Sequence, residues 1–139
     1  MKSFIVLLAL LSPFIVFAAK ADDILGIWLT DNDESKIEIY KAGNEYFGKI
    51  IWLKEPNDKS GNPKKDVNNP DKTKRNNPAI GILVLKNVRY KNGAWEGIIY
   101  GPKRGKEVAC SLKLINKDVL EGFVSYGFLS GSRTLRRVK

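Results

Sequence analysis

Apolar and polar residues alternate along most of this chain with a period of two. Segments 24–30, 35–41, 45–53, 79–90, 94–101, 106–115, 119–129 and 133–138 each carry the pattern. That period puts successive side chains on opposite faces of a strand, and no long run keeps the 3.6 period of a helix. Turn residues separate most of the segments, as in Asp31-Asn32-Asp33, Asn92-Gly93 and Asn116-Lys117-Asp118. Asn-Gly is the most informative, because both residues tolerate the positive φ of a tight hairpin. Eight short, evenly spaced strands predict an all-β fold, either an antiparallel up-and-down barrel or a sandwich.

A weak repeat favours the closed barrel. Three strands place a large residue, a glycine and an aliphatic at alternate positions: Tyr46-x-Gly48-x-Ile50, Trp95-x-Gly97-x-Ile99 and Leu120-x-Gly122-x-Val124. Glycine weakens a strand, so its recurrence on one face suggests the sharp bends of a closing sheet. Alternation then predicts the interior. Ile37 and Ile39 of the second strand point inward, as do Ile50 and Trp52 of the third. Trp95, Ile99, Leu112 and Val124 join them from later strands. Eight strands enclose either a packed core or room for one small ligand.

Residues 54–79 interrupt the rhythm. They form a polar insert between the third and fourth strands, with Val67 as its one sizeable aliphatic side chain. Loops of this length are uncommon in compact domains unless they do something. Asn69 suits a helix N-cap, Pro70 the first helical position and Asp71 the positive end of the dipole, so a helical turn is expected over 70–75. Asp66, Asn68, Asn69 and Arg75 can tie the loop back to strand ends. The expectation is a folded cap across one barrel mouth.

The start of the chain reads as a secretory leader. Met1-Lys2 is followed by a run that is almost wholly apolar, then by Ala19-x-Ala21. The apolar run is short for a membrane span, and Pro13 interrupts it. Cleavage is expected after Ala21, with Ala18 as the alternative. The division is therefore a signal peptide over 1–21 and one β-barrel domain over 22–139, exported to the periplasm or secreted. Loss of Lys2 and Lys20 lowers the formal charge from +9 to about +7. A basic exported protein can meet an anionic envelope component; nucleic acid is not an expected partner. The mature chain holds no further apolar segment of membrane-spanning length.

Candidate chemistry is sparse. The chain has no histidine and one cysteine, Cys110. That excludes an internal disulfide, His-based triads and His-based metal sites. Cys110 lies among Val108, Leu112 and Leu114 at period two, as a buried small hydrophobe would. Gly101-Pro-Lys-Arg-Gly-Lys106 lacks the spacing of a phosphate loop and joins two strands, so it reads as a hairpin turn. Asp31 and Asp33 lack the glycine and closing glutamate of a calcium loop. No enzyme activity, cofactor or metal is expected.

Gly26-x-Trp28 on the first strand resembles the signature of lipocalins and the wider calycins. There the tryptophan closes one barrel end beneath an arginine from the last strand. The resemblance implies that role for Gly26, Trp28 and Arg137, with Arg136, which faces the other way, as the second candidate. The longer pieces YFGKIIWL and DVNNPD, with GIWLT, WEGIIYGPKRGK and the closing RRV, are similar to a bacterial family catalogued as domain of unknown function 2147. The chain departs from that pattern at Gly101-Pro102 and at Leu135. The resemblance implies a lipocalin-like barrel in the envelope or outside the cell and brings no catalytic residues. Two functions follow as expectations. One is binding of a small hydrophobic or amphipathic molecule in the barrel. The other is a filled barrel whose basic surface binds anionic envelope material.

Overall fold

The computed structural model describes residues 17–126 and 129–139. Eight strands close into one antiparallel barrel in simple chain order. They are β1 (Gly26–Thr30), β2 (Ser35–Ala42), β3 (Glu45–Leu53), β4 (Leu83–Lys91), β5 (Ala94–Gly101), β6 (Lys106–Asn116), β7 (Val119–Tyr126) and β8 (Leu129–Arg137). β1 pairs with β8, with Trp28 opposite Arg137, so no strand edge is left free. Up-and-down order needs only short hairpins at most corners, and the polar alternation of each strand leaves one face for solvent.

Three expected boundaries move. β1 begins at Gly26, because Ala21–Ile24 folds into a 3₁₀ turn ahead of it. β4 begins at Leu83. Residues before it still belong to the insert, where the Ala79 amide donates to Lys64 O and that of Gly81 to Ile50 O. The turn expected at 130–132 is strand instead, with Val124 opposite Gly131. Ser-Gly-Ser reads as a turn by composition, but the ladder runs through it. Residues 127–128, between β7 and β8, lie outside the described residues.

The three repeated glycines serve close packing. A Cβ on Gly97 would stand 2.7 Å from Val88 Cγ2 and 2.8 Å from Lys86 O. One on Gly48 would stand 3.0 Å from Leu85, and one on Gly122 3.2 Å from Leu112. Gly97 faces the irregularity in the β4–β5 ladder between Lys86 and Arg89, where Asn87 has a φ of 51°. The bulge turns β4 tightly, and only a bare backbone fits beneath it.

The core divides by height. The larger cluster fills one end: Trp28, Tyr46, Trp95, Leu112, Leu114 and Leu120 sit there with Ile24, Ile39 and Cys110. A smaller cluster of Ile50, Ile82, Val84 and Tyr100 sits where the insert leaves β3 and enters β4. Burial of Cys110 pushes its thiol up to about 11, so it packs as a neutral side chain.

Candidate functional site: the two ends of the barrel

At one end the chain is sealed. Trp28 is fully buried, and the Arg137 guanidinium lies over its ring at 4.3 Å from the centroid. The guanidinium also donates to three carbonyls: Nε to Lys117 at 2.8 Å, Nη1 to Leu25 at 2.6 Å and Nη2 to Asp23 at 2.7 Å. Gly26 is required beside it. Its φ is 138°, and a Cβ there would sit 2.5 Å from Arg137 Nη1. Arg136 points away and pairs with Asp33 at 3.1 Å. Trp28 Nε1 donates to Ile24 O at 3.0 Å, which ties the 3₁₀ turn to the barrel floor.

The opposite end carries the β1–β2 turn, the insert, the β5–β6 turn and the β7–β8 hairpin. Here the inward side chains change character. Ile37, Ile99 and Val124 pack against the main core cluster but stay partly exposed, whereas Ile39, Trp95 and Leu112 are buried within it. Of the predicted interior residues, three therefore line the open end and three fill the floor. Ile50 is buried beneath the insert.

Trp52 is a correction. It lies on the outside, 38% exposed, with Lys36 Nζ 4.9 Å from its ring centroid. The cause is a β-bulge between β2 and β3: Ile37 pairs with Ile50 but Lys36 with Trp52, leaving Ile51 unpaired. One extra residue reverses the alternation for everything after it.

The insert is folded and tethered at both arms. Asp66 is buried, accepting from the Tyr100 hydroxyl at 2.7 Å and from Asn69 Nδ2 at 2.8 Å. Burial first, and then Asp66, push the Tyr100 hydroxyl up to about 12. Asn68 Nδ2 donates to Lys103 O at 3.1 Å, and Arg75 Nε to Asn69 O at 2.8 Å. A Cβ on Gly105 would fall on the Asn68 carbonyl, so the β5–β6 turn needs glycine for the insert to dock. The expected helix start is displaced. Asp71, not Asn69, is the N-cap of a short 3₁₀ turn over Lys72–Lys74, accepting from Thr73 N at 3.0 Å. Asn69 instead accepts from Asp71 N at 2.9 Å, bridging over an exposed Pro70 in an Asx turn. A residue before proline is pushed toward extended backbone, which favours this arrangement.

One contact was not legible in the strand pattern. Lys103 Nζ lies 3.0 Å from Glu34 Oε2. These residues belong to the β5–β6 and β1–β2 turns, which stand on opposite sides of the same rim in an eight-stranded barrel. The pair therefore crosses the mouth. The insert begins beside it, with Lys54 N donating to Glu34 O at 2.8 Å. Lys103 chiefly, with weaker help from Lys64 and Lys54, holds the Glu34 carboxyl below its ordinary range. Both partners are largely exposed, so the pair is a weak tie.

A concavity of about 910 Å³ also opens on the flank of β5–β8, between Ile98 and Phe123 over Ala109 and Ser111. Two neighbouring cross-strand rows line it, Glu96, Ser111, Phe123 and Ser132 on the outward face and Gly97, Cys110, Val124 and Gly131 on the inward one. Among the described residues, no helix is long and apolar enough to cross a membrane.

A sealed floor, a partly open apolar mouth and a simple eight-strand closure make this a lipocalin-like barrel. Its fold is shared with protein HP1028 of the human pathogen Helicobacter pylori, described as belonging to the lipocalin family. The two match with a TM-score of 0.70 over 83% of this chain and 82% of that one, at 21% sequence identity. The chain belongs to the family described as "Uncharacterized protein conserved in bacteria (DUF2147)", whose model matches residues 26–137. No curated protein matches it.

Proposed function

We propose that this is an exported, non-enzymatic binding protein that takes a small apolar or amphipathic molecule into the mouth half of its barrel. The observation that carries the reading is the split in burial along the inward face. Ile37, Ile99 and Val124 keep partial exposure at the mouth, while the floor is closed by Trp28, Arg137 and the Ala21–Ile24 turn. An apolar surface left partly wet inside a concave wall gains by covering, at about 25 cal/mol per Å² of apolar area removed from water. The amphipathic option draws on the rim, where Lys54, Lys64 and Lys103 gather around Glu34. An anionic headgroup could take the place of that carboxylate while a tail lies against Ile37 and Ile99. The alternative, a basic surface for anionic envelope material, has less support. Arg133 and Arg136 are engaged by Asp31 and Asp33, and Arg137 is turned inward.

The test is titration of the leaderless protein with a fluorescent fatty acid and with the matching fatty alcohol. Ile99→Gln, in the mouth wall, should weaken binding of both probes about tenfold or more. Ile98→Gln, the neighbour on the outer face, should leave both unchanged. Failure of either probe to bind, or equal effects of the two substitutions, would overturn the reading.

A further inference from the structure

The segment ahead of β1 is built into the barrel floor. Ala19 and Ala21 pack against the main core cluster. The Tyr90 hydroxyl donates to Ala19 O at 2.7 Å. Trp95, fully buried, donates its Nε1 proton to Ala21 O at 3.0 Å. Lys20 closes the start of the 3₁₀ turn in both directions: its amide donates to the Asp23 carboxylate at 2.7 Å, and its carbonyl accepts from Asp23 N at 3.0 Å. Immediately upstream the chain leaves the barrel, since Phe17 and Ala18 are exposed.

We propose that the leader is cut between Ala18 and Ala19, so that the mature protein begins Ala19-Lys20-Ala21 and uses those residues as the plug of its floor. This rests on the export reading of the leader. By residue type alone, Ala19-x-Ala21 is the better signal-peptidase site and Val16-x-Ala18 the poorer. The fold reverses that order. Cleavage after Ala21 would discard the carbonyls that accept from Tyr90 and Trp95, and the Lys20 backbone groups that start the turn. A buried donor stripped of its acceptor is costly, and native folds rarely leave one. Among the described residues, cleavage after Ala18 removes only Phe17 and Ala18, both exposed. In that step a signal peptidase hydrolyses the Ala18–Ala19 amide. Water supplies the hydroxyl of the new Ala18 carboxylate and a proton to the new Ala19 amine.

The full chain should be expressed in a bacterium and its envelope fraction examined by intact mass and N-terminal sequencing. The expected product starts at Ala19, heavier by two alanines and one lysine than a product starting at Asp22. A product starting at Asp22 would overturn the site and leave export standing. An uncut chain would overturn both. The plug role has its own measurement. Purified chains starting at Ala19 and at Asp22 should differ in thermal midpoint, the shorter being lower by about 4 °C or more, the shift that about 1 kcal/mol produces in a domain of this size. Equal midpoints would overturn the plug.

Discussion

Arg137 and Trp28, from the last and first strands, stack at the barrel floor with the guanidinium carbon 4.3 Å from the ring centroid. The contact exists because β1 and β8 are neighbours and the two residues are cross-strand partners. Arg137 also donates to Lys117, Leu25 and Asp23 carbonyls, so it joins the β6–β7 turn, the N-terminal turn and β1. Trp28→Ala should cost about 3–5 kcal/mol, as expected for emptying a buried aromatic site. Arg137→Ala should cost about 1–3 kcal/mol, combining the loss of charged hydrogen bonds with that of the cation–π contact. Chemical denaturation of both variants checks the order; a Trp28→Ala loss smaller than that of Arg137→Ala would contradict it.

How legible this was depended on whether a feature obeyed strict alternation. The inward face of β5 could be read because nothing interrupts its period, whereas the pairing of Trp28 with Arg137 came from the resemblance of Gly26-x-Trp28 to the lipocalin signature. Trp52 could not be read, because one unpaired residue, Ile51, reverses the face. Bulges depend on pairing with a distant strand and leave no mark in local composition. The plug residues Ala19 and Ala21 were hidden for another reason. Small residues before the first strand look like a peptidase site, and their backbone carbonyls, which bind Tyr90 and Trp95, carry no side-chain signature at all. The insert was legible as a folded, tethered segment from its Asp and Asn content. Its buried anchor, the Tyr100–Asp66 bond, needed the fold to bring the two together.

Gly97 tests the packing explanation of the repeated glycines. Gly97→Ala would drive a methyl group against Val88 and the Lys86 carbonyl, both at less than 3 Å. Overpacking of that kind typically costs about 1–3 kcal/mol. Gly131→Ala is the control. Its nearest neighbour would be Val124 Cγ2 at 3.8 Å, an ordinary contact, so stability should stay within about 0.5 kcal/mol. Equal melting behaviour of the two variants would reject the explanation.

Trp52 offers a check of the face reversal. It is partly exposed and touches Lys36 through its ring, so Trp52→Ala should cost only about 1 kcal/mol. Trp95→Ala, removing a fully buried side chain, should cost about 3–5 kcal/mol. Comparable losses would mean that Trp52 is buried after all.

Alkaline pH should loosen the insert. Tyr100 and Tyr46 are both pushed up to about 12, each chiefly by burial and then by a carboxylate partner, Asp66 and Asp22 respectively. A folded-state pKa above the unfolded value of 10.0 means that the stabilisation is complete below pH 10 and is lost as pH rises toward 12. Tyr100→Phe removes that titration, and leaves Asp66 with one side-chain donor, Asn69. The variant should be less stable at neutral pH, and its stability should fall less steeply than the parent's between pH 10 and 12. Denaturation midpoints across that range, with hydrogen exchange of residues 63–79 at neutral pH, provide the readout. Parallel pH curves for parent and variant would count against the assignment.

The tie across the mouth should set how fast a ligand enters and leaves. Lys103 and Glu34 are 3.0 Å apart on opposite turns, and both are exposed, so breaking the pair should barely change stability. Its position gives it a kinetic role in place of an energetic one. Glu34 also accepts from Asn32 Nδ2 at 3.0 Å, and Lys54 and Lys64 of the insert add positive charge nearby. A folded-state pKa held below the ordinary 4.5 means that the tie is intact above that pH and opens as pH falls below it. Lys103→Ala should therefore speed both uptake and release of the fluorescent fatty acid at neutral pH, with the dissociation constant moving less than either rate. The parent should approach the variant's rates as pH drops below 4.5, while the variant itself changes little. Replacing residues 57–77 with a short Gly/Ser link should accelerate exchange further, because it removes the arm that holds Lys103 through Asn68. Stopped-flow rates for the three proteins decide the matter. Binding with identical rates in all of them would keep the pocket and reject the gate.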